Sequence, residues 1–139
     1  MRSARSCSAS SLRRVPDETG LNALLSICDR KIDEGRAEVV MEAGDGHLNP
    51  GGVVHGGAIA TLIDVAMGRA FGSLIDNGES PVTIEMKVNY LEPGRVGQLV
   101  ATAEVLRRGR LFTVVHAEVV QADDGETLAE AMGTFTSTG

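Results

Sequence analysis

The chain has 139 residues, of which 42% are hydrophobic and 17 are glycine, so it can bury a real core and contains many turns. One tyrosine, three phenylalanines and no tryptophan leave little aromatic surface for stacking on nucleic-acid bases. The formal net charge is −6, and a negative surface repels a polyanion. Length, composition and charge therefore predict a folded protein without a nucleic-acid partner.

The first sixteen residues differ from the rest of the chain. They are rich in serine and arginine, contain no acidic residue and lack the apolar run of a secretory signal. We therefore predict a flexible basic arm at residues 1–16 and a single domain at residues 17–139. The expected location is the cytoplasm, and an organellar transit peptide is the alternative. Residues 57–75 are too short, and too interrupted by Asp64 and Arg69, to span a membrane, so no membrane partner is expected.

A short helix is predicted first, at residues 17–28. Its apolar side chains follow the i, i+3, i+4, i+7 spacing of an amphipathic helix, at Leu21, Leu24, Leu25 and Cys28. A strand is predicted at residues 35–41, followed by a loop at residues 42–54 that contains four glycines and Pro50. A longer helix is predicted from residue 58 to residue 75. It is apolar nearly all round, so the rest of the fold must enclose it.

From residue 82 onward the pattern changes from helical spacing to alternation. The residues predicted to face the core are Val82, Ile84, Met86, Val88 and Tyr90, with Thr83 on the opposite face. Three more strands are predicted at residues 96–106, 110–121 and 127–137, and the tight turns between them favour antiparallel pairing. We expect an α+β fold in which a curved antiparallel sheet of about five to six strands wraps one long central helix, with a short N-terminal helix.

The most informative motif is His55-Gly56-Gly57 at the start of the long helix, nine residues before the carboxylate of Asp64. A helix that begins at two glycines offers bare N–H groups at its positive end, where a carbonyl oxygen can approach without meeting a Cβ atom. An ionised carboxylate on an apolar helix is unfavourable unless chemistry needs it, and no basic residue lies within one turn of Asp64. Together these features indicate an acyl-transfer site. The structural alternatives are an aspartate that bonds a backbone amide and an ordinary Gly-Gly loop.

Residues 49–64 read Asn-Pro-Gly-Gly-Val-Val-His-Gly-Gly-Ala-Ile-Ala-Thr-Leu-Ile-Asp. This segment resembles the signature of the hotdog-fold acyl-CoA thioesterases, and most of all their phenylacetate-pathway (PaaI-like) branch. The resemblance extends from about residue 24 to residue 135. It implies the hotdog fold and the hydrolysis of an acyl-CoA to a free acid and CoA. The acyl group is expected to be aryl or of short to medium chain length.

The resemblance also implies a role for each residue of the motif. The Gly56 N–H would polarise the thioester carbonyl, and Asn49 and His55 would shape the pocket. Asp64 would activate water or act as the nucleophile. The site would be shared across a homodimer, with Thr83 reaching it from the opposite subunit. Unpaired strand edges rich in Val and Ile also favour a dimer, and a dimer of dimers, a homotetramer, is expected.

The phosphates of CoA need cations, and Arg107, Arg108 and Arg110 cluster at one predicted hairpin. Their alternative role is to stay solvated and to protect a strand edge from aggregation. The histidines and cysteines lack metal-ligand spacing, so we expect no metal and no cofactor, CoA being part of the substrate. Two functional alternatives are a hotdog hydratase or dehydratase acting on an acyl thioester, and a non-catalytic acyl-CoA-binding protein.

Overall fold

A computed structural model describes residues 20–139, and the arm predicted at residues 1–16 lies outside the described residues. In chain order the elements are α1 (Leu21–Leu24), β1 (Ile27–Asp33), β2 (Arg36–Ala43), a 3-10 turn (Asp45–His47), α2 (Gly56–Gly72), β3 (Ser80–Tyr90), β4 (Gly97–Arg108), β5 (Thr113–Gln121) and β6 (Thr127–Thr138). Within the described residues the strands form a six-stranded antiparallel sheet in the order β1-β2-β4-β5-β6-β3, so β1 and β3 are its edge strands.

The helix α2 packs on the sheet and forms the centre of the core. Its residues Leu62, Ile63 and Met67 are fully buried, and the helix contacts all six strands. On β5 every second residue is buried, which is the alternation of a strand with one face on a core. The expected α+β arrangement, a curved antiparallel sheet around one long helix, is confirmed. Among the described residues, no helix has both the length and the apolar character needed to cross a membrane.

The N-terminal helix is shorter than predicted. α1 covers four residues, both of its leucines are exposed, and the chain turns at Ser26, whose φ of 55° is left-handed. The next residues form β1, a strand that the sequence pattern did not reveal. A register shift between Asp29 and Lys31 breaks its alternation, so no period-two pattern marks it. The prediction of helix at residues 25–28 was therefore wrong, and residues 17–19 lie outside the described residues.

The edge strand β3 contains a β-bulge that changes which side chains face α2. Its pairing with β6 shifts between Thr83 and Glu85, and a bulge re-aims the side chains on one side of the irregularity. Thr83 pairs with the buried Phe135, whereas Val82 and Ile84 are 38% and 51% exposed. The prediction that Val82 and Ile84 face the core, with Thr83 on the opposite face, was therefore wrong.

Candidate active site

The loop that leads into α2 is folded around Asn49. Its Oδ1 atom accepts hydrogen bonds from the N–H groups of Gly51 and Val53, at 2.9 and 3.2 Å. Gly52 adopts a φ of +87°, a conformation that favours glycine. Asn49 thus has the turn-forming role that asparagine often takes before Pro-Gly. Its Nδ2 amide has no acceptor among the described residues, so this group can still donate to a ligand.

His47 holds this loop against the segment that precedes β1. Its Nε2 atom donates to the Leu25 carbonyl at 2.6 Å, and its Nδ1 atom accepts from the Gly44 N–H at 3.0 Å. These two bonds require the neutral tautomer with the proton on Nε2. The His47 carbonyl accepts from the N–H of His55 at 2.7 Å, so His47 also fixes the residue that starts α2. Sequence reasoning asked only whether His47 could be a metal ligand and rejected that role. It missed the structural role of His47, because residue spacing carries no signal of it.

The first turn of α2 leaves one backbone N–H without a partner among residues 20–139. His55 is the N-cap residue, and its Nδ1 atom accepts from the Gly57 N–H at 2.8 Å. The His55 carbonyl accepts from the N–H groups of Ala58 and Ile59, at 2.9 and 3.2 Å. The Gly56 N–H, in contrast, has no acceptor within the described part of the chain. It lies at the positive end of the helix dipole, where a carbonyl oxygen or an oxyanion is stabilised.

Tyr90, at the end of β3, covers the start of α2. Its hydroxyl donates to the Gly56 carbonyl at 2.7 Å, and a Cβ atom added at Gly56 would lie 3.4 Å from the tyrosine ring. Partial burial raises the pKa of the Tyr90 phenol, so the hydroxyl keeps its proton at neutral pH. Sequence reasoning placed Tyr90 among the core-facing residues and missed its contact with Gly56. The available signal was its position as the last inward-facing residue of the strand after the helix.

Asp64 lies near the middle of α2 and is half-buried. The Thr83 hydroxyl donates to Asp64 Oδ1 at 2.6 Å. Both residues belong to the same chain, so Thr83 and Asp64 form one group, and whether this group serves a site of the opposite subunit stays a prediction. The bulge in β3 turns Thr83 toward the helix of its own chain. The other carboxylate oxygen, Oδ2, has no partner among residues 20–139 and is available to a ligand.

The structure does not bring Gly56 and Asp64 of one chain together. Asp64 follows Gly56 by eight positions in the same helix. At the rise of an α-helix this is about 12 Å along the axis, so one thioester carbon cannot contact both residues of a single chain. The site residues form two groups, which we name the helix-start group (Asn49, His55, Gly56 and Tyr90) and the carboxylate group (Asp64 and Thr83).

The predicted arginine cluster lies at the hairpin between β4 and β5. Arg107 and Arg108 end β4, Arg110 lies in the turn, and all three are exposed. None of the three forms an ion pair with a carboxylate of the described residues. The four other arginines of residues 20–139 each do: Arg30, Arg36, Arg69 and Arg95. The hairpin therefore presents three cations that have no anionic partner within this part of the chain.

Arg108 lies in the same row of the sheet as Thr83. Arg108 pairs with Thr113, Thr113 with Phe135, and Phe135 with Thr83. Directly paired residues point to the same face of a sheet, so these four side chains share the face that packs on α2. Three strand spacings, about 14 Å, separate Arg108 from Thr83. The arginine cluster and the carboxylate group are thus at the same end of the sheet.

Comparisons with known proteins place the chain in a family. The family model described as "Thioesterase superfamily" matches residues 51–128. The chain is 27% identical over 109 residues to acyl-coenzyme A thioesterase 13 from Mus musculus, covering 78% of this chain and 69% of that protein. The solved structure of the PaaI protein from the phenylacetic acid degradation operon of E. coli is 31% identical, with a TM-score of 0.78 and coverage of 85% and 83%. A conserved protein from Pseudomonas aeruginosa is 37% identical, with a TM-score of 0.79 and coverage of 84% and 92%.

The fold and these relatives define the class of protein as a thioester hydrolase with the hotdog fold. The chain belongs to the thioesterase superfamily. The resemblance inferred from residues 49–64 is confirmed, and the structural neighbours include the PaaI protein and a phenylacetic acid degradation-related protein from Ralstonia eutropha.

Proposed function

We propose that the protein hydrolyses an acyl-CoA thioester to a free acid and CoA. The observation that carries the proposal is the Gly56 N–H at the positive end of α2, which has no acceptor in the described part of the chain, because a thioester carbonyl needs such a donor in the transition state. Relatives of the chain are named acyl-CoA thioesterases, which favours this substrate over the hydratase and binding-protein alternatives. The chemistry needs no metal and no cofactor.

The proposed active site is shared by two subunits of a homodimer. The helix-start group of one subunit would meet the carboxylate group of the other, since the two groups of one chain are about 12 Å apart along α2. In the sheet formed by residues 20–139, β3 is an edge strand with unpaired backbone groups, and it exposes Val82 and Ile84 beside Thr83. Pairing of this edge with a second copy would bury both apolar side chains and bring Thr83 to the subunit boundary. A dimer of dimers remains part of the proposal.

In the proposed reaction Asp64 of one subunit removes a proton from water while the water oxygen attacks the carbonyl carbon. The carbonyl oxygen takes up the negative charge and is stabilised by the Gly56 N–H of the other subunit. One such donor contributes about 2.7–4 kcal/mol to transition-state stabilisation. The C–S bond then breaks, the acid leaves, and the CoA thiolate takes the proton from Asp64. In the alternative mechanism an Asp64 oxygen attacks the carbonyl carbon, and the C–S bond breaks to release the CoA thiolate. Water then hydrolyses the mixed anhydride, which frees the acid and Asp64, and the thiolate takes the proton that the water releases.

Thr83 has the same role in both mechanisms. Its hydroxyl donates to Oδ1 of Asp64, and Oδ2, which has no partner among the described residues, would react. A single hydrogen bond of this kind fixes the plane of the carboxylate, so the reacting oxygen does not have to be oriented during each turnover.

Arg107, Arg108 and Arg110 are proposed to bind the phosphates of CoA. Guanidinium groups match phosphate oxygens in bidentate geometry, and these three lack a carboxylate partner in the described chain. Arg108 lies at the same end of the sheet as Thr83, which supports this assignment.

A hydrolysis screen tests the activity and the acyl group together. The protein is incubated with phenylacetyl-CoA, hexanoyl-CoA and palmitoyl-CoA, and release of the CoA thiol is followed with a thiol-reactive dye. The likeness to PaaI leads us to expect the highest kcat/KM for an aryl or a short to medium acyl chain. Crotonyl-CoA reports on the hydratase alternative, which would remove the conjugated double bond without releasing thiol. No thiol release from any acyl-CoA would contradict the proposal.

Subunit mixing tests whether the site is shared. Asp64→Asn removes the base, Gly56→Pro removes the N–H, and each homodimer should be inactive. A mixed dimer would contain one site with both defects and one site with neither. Equal amounts refolded together give half mixed dimers, so activity should return to about a quarter of the wild-type value. No recovery would show that each chain carries a complete site.

A further inference from the structure

Tyr90 has no part in the bond-making steps of the proposed reaction, yet it touches the peptide unit next to the proposed oxyanion donor. We propose that Tyr90 is a positioning residue that holds the Gly56 N–H in the direction a thioester carbonyl requires. The inference rests on the proposed function, because it assumes that this N–H polarises the substrate.

The peptide unit between Gly56 and Gly57 is held at both of its ends. The Tyr90 hydroxyl donates to its carbonyl at 2.7 Å, and the Nδ1 atom of His55 accepts from its N–H at 2.8 Å. The preceding peptide unit carries the Gly56 N–H itself. Its carbonyl, that of His55, accepts from the Ala58 N–H at 2.9 Å. Both peptide units that flank the Gly56 Cα are therefore fixed, and with them the direction of the free N–H.

The glycine pair makes this restraint necessary. Glycine has no Cβ and populates a wider range of φ and ψ than any other residue, and the first turn of a helix has the fewest intrahelical bonds. An oxyanion donor acts because it is already aligned before charge develops. A donor that must be ordered during the reaction stabilises the transition state less. Without the Tyr90 hydroxyl, the His55 ring would be the one group of the described residues that holds the Gly56–Gly57 peptide unit from outside the helix.

The position of Tyr90 fits this role better than a role in the core. Tyr90 pairs with the buried Ala129 on β6 and so points to the α2 face, but it is 51% exposed. A tyrosine that serves the core buries its ring. Tyr90 is instead half-exposed, and its hydroxyl bonds the carbonyl beside the proposed donor. Because partial burial raises the pKa of the phenol, the donor stays protonated across the neutral range.

Tyr90→Phe tests the inference, because it keeps the ring and removes only the hydroxyl. We expect kcat for the best acyl-CoA of the screen to fall about tenfold, less than for loss of the N–H itself. KM should change less than about twofold, because ground-state contacts are kept. The thermal midpoint should shift by less than about 4 °C. By NMR, the Gly57 amide should exchange its hydrogen faster than in the wild type, an effect that a substrate-binding role would not produce.

Ser73→Ala is the matched control. The Ser73 hydroxyl lies at the opposite end of α2, where it donates to the Ala70 carbonyl at 2.7 Å and accepts from the Gly35 N–H at 2.8 Å. Its loss should lower the thermal midpoint without changing kcat. A Tyr90→Phe variant with wild-type kcat, or with a raised KM and unchanged kcat, would overturn the positioning role. Failure of the wild-type protein to hydrolyse any acyl-CoA would instead overturn the proposed function.

Discussion

The helix-start group and the carboxylate group are built in different ways. Apart from the Tyr90 bond, the hydrogen bonds that flank Gly56 come from its N-cap residue and the first turn of α2, a single continuous segment. The carboxylate group joins Asp64 of α2 to Thr83 of β3, nineteen positions later, and depends on a bulge in the pairing of β3 with β6. The Gly56 N–H is therefore positioned by local structure. The Asp64 carboxylate is positioned by the register of the sheet. The predictions below test each group separately.

The largest effect is expected for Asp64→Asn. Asparagine keeps an oxygen that can accept from Thr83, but it cannot take a proton from water. We expect kcat to fall by roughly 10²–10⁴, the usual contribution of a general base. Affinity for a non-hydrolysable thioether analogue of the acyl-CoA, measured by calorimetry, should stay within about threefold of the wild-type value, because uniform binding is untouched.

Asp76→Asn is the control for this substitution, since Asp76 is an exposed acid beyond the end of α2. A purely structural Asp64 would give the opposite pattern: about 1–3 kcal/mol of lost stability with turnover retained in the folded fraction. Near wild-type turnover in the Asp64→Asn variant would remove this residue from the mechanism.

The next largest effect is expected for Gly56→Pro, which tests the helix-start group. Proline suits the first position of a helix, and His55 has φ −58° and ψ 133°, a conformation allowed before proline. The Gly56 N–H has no acceptor in the described chain, so its removal breaks no hydrogen bond there. We expect kcat to fall by roughly 10²–10³ with a small change in thermal midpoint.

Gly56→Ala separates the lost N–H from the added carbon. It keeps the donor and places a Cβ atom 3.4 Å from the Tyr90 ring, an ordinary contact. The alanine variant should retain at least about ten times the kcat of the proline variant. Equal losses in the two variants would assign the effect to crowding at Gly56 and not to the N–H.

The same division explains how much could be predicted from the sequence. Asn49, His55 and Gly56 of the helix-start group could be recognised because they lie in one short segment. The alternation at residues 110–121 predicted a strand, which the structure places at Thr113–Gln121. The strand β1 and the bulge in β3 could not, because each interrupts the side-chain period that marks a strand. The partner of Asp64 was missed for this reason, since alternation alone put Thr83 on the wrong face. The contact of Tyr90 with Gly56 joins two elements, and no spacing within either element encodes it.

Thr83→Val should lower kcat less than Asp64→Asn or Gly56→Pro does. It removes the donor to Asp64 but keeps the shape of the side chain. The carboxylate can then rotate more freely, and it keeps its charge. We expect kcat to fall about tenfold with KM and thermal midpoint nearly unchanged. Thr83→Ser, which keeps the hydroxyl, should recover most of the activity. If the serine variant were as slow as the valine variant, the hydroxyl would not be the feature that matters.

The smallest effect is expected at the arginine hairpin, which neither group of the site contacts directly. Exposed ion pairs contribute about 0.2–1 kcal/mol each, so changing Arg107, Arg108 and Arg110 together to glutamine should raise KM for acyl-CoA about fivefold and leave kcat unchanged. The N-acetylcysteamine thioester of the same acid lacks the phosphates, and its kinetics should not change.

Arg36→Gln is the matched control for the arginine hairpin, because Arg36 is an exposed arginine paired with Glu104. Added salt should raise KM of the wild type more than that of the triple variant, since salt screens exposed charges. An equal loss on both thioesters would assign the hairpin a structural role and leave the phosphates of CoA to other residues.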